Sequence, residues 1–343
     1  MKAMVLKEIT DLRENRTPLE PADLPVPEPA GSEVLLRVLT CGVCHTDIDE
    51  IEGRTPPSRF PVVPGHQIVG IVERMGPDAL RFTKGDRAGV AWINSACGSC
   101  RFCRNGEENL CDGFVATGRD ADGGYAEYAV VPEQFAYPIP DLFSDAEAAP
   151  LLCAGAIGHR SLRLTNMCDG DTLGLVGFGA SGHIVLKLAA HQYPGSRAYV
   201  FSRTEAERTF AMELGAAWAG NFGDTCPEKL RCAIDTTPAW GPIVSALRNL
   251  EKGGRLVINA IRKEEADKDA LLALDYPSGL WMEKEIKSVA NITRRDVEDF
   301  LLLAAAAGIR PEVQEYPLED ANRALVELKK RKIRGAKVLR VAY

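Results

Sequence analysis

The first part of the chain, to about residue 150, shows short apolar or alternating runs that are typical of β-strands. Val34–Val38 and Ile68–Val72 are two such runs. Turns rich in proline and glycine separate them, such as Pro25–Pro29 and the Gly85–Asp86 pair. Short runs bounded by turn residues predict strands rather than helices. We therefore expect a β-rich N-terminal part.

The part after residue 150 alternates between strand-like and helix-like patterns. Strands are predicted at Thr172–Val176, Arg197–Phe201, Cys232–Asp235 and Arg255–Ala260, and helices at Ser181–His191, Glu205–Leu214 and near Ile243–Leu250. This alternation predicts a doubly wound parallel sheet. Two more helices are expected near Val297–Ala307 and Leu318–Lys330, followed by a last strand, Lys337–Val341, that can return to the first domain.

Length and composition limit the class of protein. A chain of 343 residues suggests about two domains, and the 45% hydrophobic and 26% charged content is that of a globular protein. A net charge of −7 without a basic tract disfavours nucleic-acid and anionic-membrane partners. The sequence contains no membrane-spanning run, and Met1–Lys7 turns polar too early for a signal peptide. We expect a cytoplasmic protein whose ten cysteines serve metal or thiol chemistry.

A glycine turn follows the first strand of the alternating part. Gly177, Gly179 and Gly182 have the G-x-G-x-x-G spacing between an apolar strand and an apolar helix. Such glycines permit a tight turn, backbone approach to a pyrophosphate and close helix–strand packing, and the helix N-terminus attracts phosphate. We predict a nicotinamide dinucleotide site here. The alternative is a glycine-rich turn in an ordinary α/β domain.

The end of the next strand bears on which nicotinamide cofactor binds. An NAD site usually places a carboxylate there, but this strand ends in Ser202 and Arg203, and Glu205 is the first acidic residue after them. A guanidinium suits a 2′-phosphate. We therefore predict NADP(H), with NAD(H) as the alternative if Arg203 only stacks on adenine from the surface.

Four cysteines lie within one short segment rich in polar residues. Cys97, Cys100, Cys103 and Cys111 can place four thiolates around one Zn²⁺ at about 2.3 Å. Because a closed four-sulfur site leaves no position for substrate, we predict a structural zinc. A second set, Cys44, His66 and Cys153, can form a three-ligand zinc site with an open position, but spacing alone does not unite these residues.

These motifs together resemble a known family. Cys44–Asp47, Gly65–His66, the four-cysteine loop, Leu151–Gly155 and Gly177–Gly182 occur in the order found in zinc-dependent medium-chain alcohol dehydrogenases, over essentially the whole chain. The resemblance implies a GroES-like β-rich catalytic domain of residues 1–150 and 291–343, a Rossmann domain of residues 151–290, and an active site in the cleft between them. It also implies that Cys44, rather than Cys41, is the catalytic zinc ligand.

The resemblance further assigns roles to individual residues. Zinc, as a Lewis acid, would lower the pKa of a bound alcohol hydroxyl, and hydride would pass to the nicotinamide. Thr46 would pass the alcohol proton towards solvent, and Asp47 would orient a zinc-binding imidazole. The predicted cofactor contacts are His45, Gly177, Phe178, Gly179, Ala180, Ser181, Gly182, Ser202, Arg203, Thr236 and Ala260.

Three positions depart from the family pattern. Gln67 stands where glutamate commonly follows the zinc histidine, which leaves the site more electropositive. Asp49 occupies the position of a relay histidine, so we expect a relay through Thr46, the cofactor ribose and water, with Asp49 optional. Thr55 stands near the position of a bulky aromatic, so a substrate pocket lined by Trp92 and widened at Thr55 would admit medium or aromatic alcohols. The alternative for Trp92 is a core residue.

The sequence thus predicts an alcohol dehydrogenase or aldehyde reductase with two Zn²⁺ per chain, acting on a primary aliphatic or aromatic alcohol. Gln67 and Thr55 keep open a medium-chain reductase or dehydrogenase for a cyclic or thioester substrate. A non-catalytic zinc- and nucleotide-binding protein is the alternative from another class. By resemblance we expect a homodimer or homotetramer, assembled through edges of the Rossmann sheet.

Overall fold

The structure, a computed structural model, describes residues 1–330 and 334–342. The chain forms two compact units. The first comprises Met1–Ala156 together with the chain from Ile292 onward, and the second comprises Ile157–Asn291. The sequence predicts boundaries at 150/151 and 290/291, whereas the first unit extends to Ala156, so that it includes Cys153, and resumes at Ile292.

The strands and helices have the following order and bounds along the chain. From the N-terminus they are β1 (Lys2–Leu6), β2 (Leu19–Asp23), β3 (Glu33–Val43), α1 (His45–Ile51), β4 (Gln67–Met75), β5 (Arg87–Val90), β6 (Ile93–Ser95), α2 (Arg101–Arg104), β7 (Val115–Ala116), β8 (Tyr128–Pro132), β9 (Ala136–Pro138) and α3 (Asp145–Pro150). After a π-helical turn at Leu151–Gly155 come α4 (Ala156–Thr165), β10 (Thr172–Val176), α5 (Ala180–Gln192), β11 (Arg197–Phe201), α6 (Glu205–Glu213), β12 (Trp218–Gly220), β13 (Leu230–Asp235), α7 (Gly241–Asn249), β14 (Leu250–Ile258), α8 (Tyr276–Gly279) and β15 (Glu285–Ser288). The last elements are α9 (Arg294–Ala306), β16 (Val313–Pro317), α10 (Ala321–Lys329) and β17 (Ala336–Arg340).

The first unit is built on a seven-stranded, mostly antiparallel sheet. Its path is β16-β17-β3-β4-β5-β9, and β8 also pairs with β3. Val34, Leu35 and Leu36 of β3 are fully buried, and this strand pairs with β4, β8 and β17. Since β3 ends directly before Cys44, the most heavily paired strand of the sheet fixes the position of that cysteine. The last strand, β17, pairs with β3 and so returns to the first unit.

The second unit contains a six-stranded parallel sheet in the order β12-β11-β10-β13-β14-β15. This is the doubly wound sheet that the sequence predicted, and β10 and β11 have the predicted bounds. The strand order reverses between β10 and β13, which is where ligands bind in open α/β sheets, at the carboxyl ends of the strands. The main difference is β14, which begins at Leu250 rather than Arg255 because Leu250 pairs with Leu230 before an irregularity in the register.

The core of the second unit lies between its sheet and its helices. Leu230, Leu247 and Leu256 are buried with Tyr199 and Phe201 in one cluster. Complete burial of each leucine contributes roughly 1.5–3 kcal/mol to folding. Across residues 1–330 and 334–342, the helices are too short or too polar to cross a lipid bilayer.

Candidate functional site

The four cysteines of the short loop converge in the first unit. The Sγ atoms of Cys97, Cys100, Cys103 and Cys111 lie within 4.8 Å of one another. The short helix α2 contributes to this arrangement, because Cys100 is its N-cap and its Sγ accepts a hydrogen bond from Cys103 N at 3.5 Å. The backbone N–H of Cys100 donates in turn to Cys97 Sγ at 3.3 Å. The loop therefore presents four sulfurs to one point.

The acidity of these thiols suits a metal cation. Hydrogen bonds from the backbone N–H groups of Ser99 and Cys100 lower the pKa of Cys97 to about 6. Burial and its cysteine neighbours raise the pKa of Cys103 to about 12. Adjacent thiolates repel each other, so all four ionise together only if a cation compensates their charge. A tetrahedral Zn²⁺ with sulfur ligands fits this donor set.

Cys44, His66 and Cys153 also converge in the first unit, although they are distant in sequence. One ligand atom from each lies within 4.8 Å of the others. Cys44 is the N-cap of α1, directly after β3, and Cys153 lies in the π-helical turn that follows α3. His66 follows Gly65, whose φ of +96° and contact with the Tyr125 ring admit no Cβ without strain. The structure thus brings together the three residues that spacing alone could not unite.

Asp47 links the histidine of this group to its surroundings. Its Oδ1 lies 3.2 Å from Nδ1 of His66, and both residues are fully buried. Its Oδ2 accepts hydrogen bonds from Cys44 N at 2.7 Å and from the Tyr125 hydroxyl at 3.1 Å. A carboxylate on Nδ1 fixes the ring orientation and leaves Nε2 for a metal. Neither Nε2 nor Nδ1 of His66 makes a well-aligned hydrogen bond to the part of the chain that the structure describes, and the Asp47 contact on the Nδ1 side leaves Nε2 available to a metal.

Interactions within the group of Cys44, His66 and Cys153 lower the pKa of Cys44 and raise the pKa values of His66 and Cys153. A hydrogen bond between the thiols lowers the pKa of Cys44 and raises that of Cys153. Burial lowers the pKa of His66, but the Asp47 carboxylate and the Cys44 sulfur together outweigh burial and raise the pKa overall. Metal binding must therefore release protons from the histidine and at least one thiol. The donor set, two sulfurs and one nitrogen with an unpaired Nε2, fits a zinc ion with an open fourth position.

Thr46, Asp49 and His45 occupy different environments on α1. The Thr46 Oγ1 lies 3.6 Å from Cys44 Sγ, so its hydroxyl reaches the group. Asp49 is buried and its Oδ1 is bound by Arg54 Nε at 2.5 Å, so its carboxylate already has a charged partner. Burial raises the pKa of Asp49, while Arg54 opposes that shift. His45 is exposed.

The two residues proposed for the substrate pocket are both buried. Trp92 packs against the Phe114 ring at a centroid distance of 5.2 Å, and the Arg119 guanidinium lies 5.4 Å from the Trp92 ring. The structure therefore places Trp92 in an aromatic cluster of the first unit. Thr55 is buried, and its Oγ1 has no hydrogen-bond partner among the described residues.

The glycine turn of the second unit has the geometry expected of a dinucleotide loop. Gly177 has a φ of +91°, and a Cβ there would lie 2.5 Å from Thr236 Oγ1. A Cβ on Gly179 would meet nothing within 4 Å among the described atoms, so space for a ligand is open there. A Cβ on Gly182 would lie 2.7 Å from the Gly177 carbonyl oxygen. The turn therefore packs closely at Gly177 and Gly182 and leaves the backbone accessible to a ligand at Gly179.

The remaining predicted cofactor residues surround the same edge of the sheet. Phe178 is buried against Phe210, Ala180 and Ser181 open α5, and Thr236 follows β13 and donates to the Val176 carbonyl at 3.2 Å. Ala260 lies two residues beyond the end of β14 and is half-buried. These positions fall at the carboxyl ends of β10, β13 and β14.

At the end of β11 the structure shows a contact that the sequence analysis missed. The buried Ser202 hydroxyl donates to the Glu207 carboxylate, and Arg208 donates to the carbonyl oxygens of Ser202 and Arg203. The Arg203 side chain is exposed. The signal was present in the sequence, since Thr204 and Glu207 have the spacing of a helix N-cap with its third residue. The first turn of α6 therefore places the Glu207 carboxylate at the end of β11, where the sequence predicts the cofactor ribose.

Two other residues near the three-ligand group were missed. Tyr125 contacts Asp47 from a loop 78 residues later in the chain, and no sequence pattern reveals that contact. Glu50 lies three residues after Asp47 on α1 and is almost completely buried. Its position on the Asp47 face of a short helix was a signal that could have been used.

Comparisons with known proteins agree with this geometry. Residues 30–141 match the family described as alcohol dehydrogenase GroES-like domain. The probable alcohol dehydrogenase AdhA of Mycobacterium tuberculosis (strain CDC 1551 / Oshkosh) is 43% identical over 327 residues, 94% of this chain and 92% of that protein. The crystal structure of an NAD-dependent alcohol dehydrogenase superposes with a TM-score of 0.88 at 26% identity and covers 100% of both chains. A thermostable alcohol dehydrogenase from Pyrobaculum aerophilum, solved with bound cobalt and zinc, gives a TM-score of 0.85 at 26% identity over 99% of both chains.

These matches confirm the predicted fold class, a GroES-like domain with a Rossmann-type parallel sheet. They also confirm the prediction of an oxidoreductase that acts on alcohols. The non-catalytic alternative loses its support.

Replacing Cys111 with serine tests the four-sulfur group. Because Cys111 is buried among the other three sulfurs, we expect Cys111→Ser to lose one zinc equivalent per chain. A loss of about 2–4 kcal/mol of stability would lower the thermal transition by roughly 5–15 °C. Calorimetry with metal analysis measures both effects. Cys168→Ser, an exposed cysteine outside both groups, is the control. Unchanged zinc content in Cys111→Ser would contradict a four-sulfur zinc site.

Proposed function

The chain belongs to the zinc-dependent medium-chain alcohol dehydrogenase family, and on that premise we propose that it transfers hydride between a primary alcohol and NADP(H). The alcohol is aliphatic or aromatic, and the reverse reaction reduces an aldehyde. The observation that carries the proposal is the convergence of Cys44, His66 and Cys153 on one point, with Nε2 of His66 unpaired. These residues would hold the catalytic zinc, and the four-cysteine loop would hold a second, structural zinc.

The residues of the chain position and deprotonate the alcohol. When bound, zinc lowers the pKa of an alcohol hydroxyl and polarises an aldehyde carbonyl, and the nicotinamide accepts or donates hydride. Asp47 holds the His66 ring by Nδ1. The Thr46 hydroxyl, beside Cys44 Sγ, would accept the alcohol proton and donate its own proton to the cofactor ribose and on to water. Asp49 is optional in this relay, since its carboxylate is bound to Arg54.

The cofactor preference rests on the end of β11. The exposed Arg203 offers a guanidinium to a 2′-phosphate, and β11 ends without a carboxylate of its own. Glu207 opposes this preference, because its carboxylate is bound to the Ser202 hydroxyl and would repel a phosphate placed there. We propose that Arg203 dominates, because it is exposed whereas Glu207 is engaged with Ser202.

We also propose that the protein is a homodimer or homotetramer assembled through the edge of the Rossmann sheet. β15 is the terminal strand of that sheet among the described residues, and all four of its residues are exposed. Ile286, within β15, is 46% exposed, and Trp281, which precedes β15 in the chain, is 57% exposed. An edge strand with exposed apolar side chains is suited to pairing with a second copy.

Initial rates of aldehyde reduction test the reaction. With benzaldehyde and a short aliphatic series, we expect turnover with NADPH at a kcat/KM at least about tenfold above that with NADH, a difference of about 1.4 kcal/mol. A clear preference for NADH would support the alcohol dehydrogenase activity but overturn the proposal that NADP(H) is the preferred cofactor. No turnover with either cofactor in zinc-replete protein would favour a specialised cyclic or thioester substrate.

Two substitutions test the cofactor site. Ser202→Asp adds a carboxylate at the ribose and should raise the NADH/NADPH ratio of kcat/KM by roughly 10–100-fold. Glu207→Gln removes the opposing charge and should shift the ratio towards NADPH. Glu213→Gln, at the far end of α6, is the control for loss of one acidic charge. If neither variant alters the ratio, the end of β11 does not select the cofactor.

Sedimentation velocity tests the assembly. We expect a species of twice or four times the 37.3 kDa chain mass. Ile286→Lys should shift the protein towards the monomer because it places a charge on the pairing edge, while Arg295→Ala on α9 of the first unit should not. A wild-type protein that sediments as a monomer would refute the proposal.

A further inference from the structure

Glu50 is a buried carboxylate that the reaction described above does not use. It is 1% exposed, and its Oε2 has no hydrogen-bond partner among the described residues. Its Oε1 has only a long contact, 3.5 Å, from Trp92 Nε1. A buried carboxylate normally accepts several hydrogen bonds or pairs with a cation, because an unpaired charge away from water is costly. Burial and the nearby Asp47 carboxylate raise the pKa of Glu50, so its ionised form requires a compensating positive charge.

The protein cations near Glu50 do not fill this need. Positive charge acts on Glu50 from His66 and Arg119. Arg119 is already paired, since its Nη2 lies 2.6 Å from Asp120 Oδ2 and its guanidinium lies over the Trp92 ring. His66 is held by Asp47, and it must be neutral to bind a metal. Neither cation is free to neutralise a second buried carboxylate.

Helix geometry directs Glu50 towards the three-ligand group. Asp47 and Glu50 are three residues apart on α1 and so share one face of the helix. Asp47 on that face contacts His66. Glu50 therefore lies on the helix face that carries Asp47 towards His66, outside the set of three ligand atoms that lie within 4.8 Å of one another.

The residue after His66 does not supply this charge. Gln67 is neutral, and its side-chain oxygen packs over Gly42 of β3, where a Cβ would collide with it. Of these two residues, only Glu50 on α1 can carry a negative charge, because Gln67 on β4 has a neutral amide.

We propose that the Glu50 carboxylate is the anionic partner of the catalytic zinc and strengthens its binding beyond what Cys44, His66 and Cys153 provide. This inference rests on the proposed function, because it requires a zinc ion in that group. A zinc ion held by the three ligands would bring positive charge close to Glu50, which explains how the fold tolerates this carboxyl group at full burial.

The affinity of the purified protein for zinc tests the proposal without substrate or cofactor. In competition with a coloured chelator, we expect wild type to hold two zinc equivalents per chain. Glu50→Gln keeps the shape and removes the charge, so it should bind one equivalent 10–100-fold more weakly and the other unchanged. Glu133→Gln is the matched control, since Glu133 is buried in the same unit but bound to the backbone N–H groups of Leu80 and Arg81.

A second variant separates charge from shape. Glu50→Asp keeps the charge and shortens the side chain, so a charge role predicts tighter zinc binding than in Glu50→Gln. A packing role predicts the reverse, because aspartate leaves a cavity and glutamine does not. The zinc-induced rise of the thermal transition provides a readout even if a variant is less stable.

The outcomes distinguish this inference from the proposed function. Equal zinc affinity, within about twofold, for wild type and Glu50→Gln would overturn the role of Glu50 alone. Weaker binding in Glu50→Asp than in Glu50→Gln would also overturn it. A wild-type protein that binds only the zinc of the four-cysteine loop would instead refute the proposed catalytic site.

Discussion

Buried negative charge is the constraint on which the first unit depends. Asp47 and Glu50 are almost completely enclosed, and the Cys44 and Cys153 sulfurs lie within 4.8 Å of a histidine nitrogen. Ionisation of these groups without a cation would cost several kcal/mol per charge. We propose that a zinc ion offsets part of this charge, because Cys44, His66 and Cys153 place ligand atoms within 4.8 Å of one another. The segments that carry Cys44, His66 and Cys153 bring their ligand atoms together.

That arrangement depends on long-range contacts within the unit. β3 carries the chain to Cys44, Gly65 turns it before His66, and a π-helical turn holds Cys153. π-helical turns are rare and occur often at functional positions. Tyr125 and Asp47 then fix the histidine ring. The ligands come from three separate segments, so the metal site and the folded unit depend on each other.

The sequence could predict local features and could not predict the tertiary ones. The four-cysteine loop and the glycine turn are compact in sequence, and β10 and β11 have the bounds that their apolar runs indicated. The Cys44, His66 and Cys153 group required resemblance to a family, because spacing does not bring residues so far apart together. The contact of Tyr125 with Asp47 depends on tertiary packing that no sequence pattern encodes, whereas the helical spacing of Glu50 after Asp47 and of Glu207 after Thr204 was visible in the sequence. The early start of β14 at Leu250 likewise depends on pairing with Leu230.

The central claim is that Cys44, His66 and Cys153 hold a zinc ion that alcohol oxidation requires. The most direct measurement removes zinc stepwise with a chelator while zinc content and alcohol oxidation are followed in the same samples. The claim predicts two zinc ions per chain, loss of activity in proportion to one of them, and recovery when one equivalent is returned. Full activity in protein that retains only one zinc, bound by the four-cysteine loop, would contradict it.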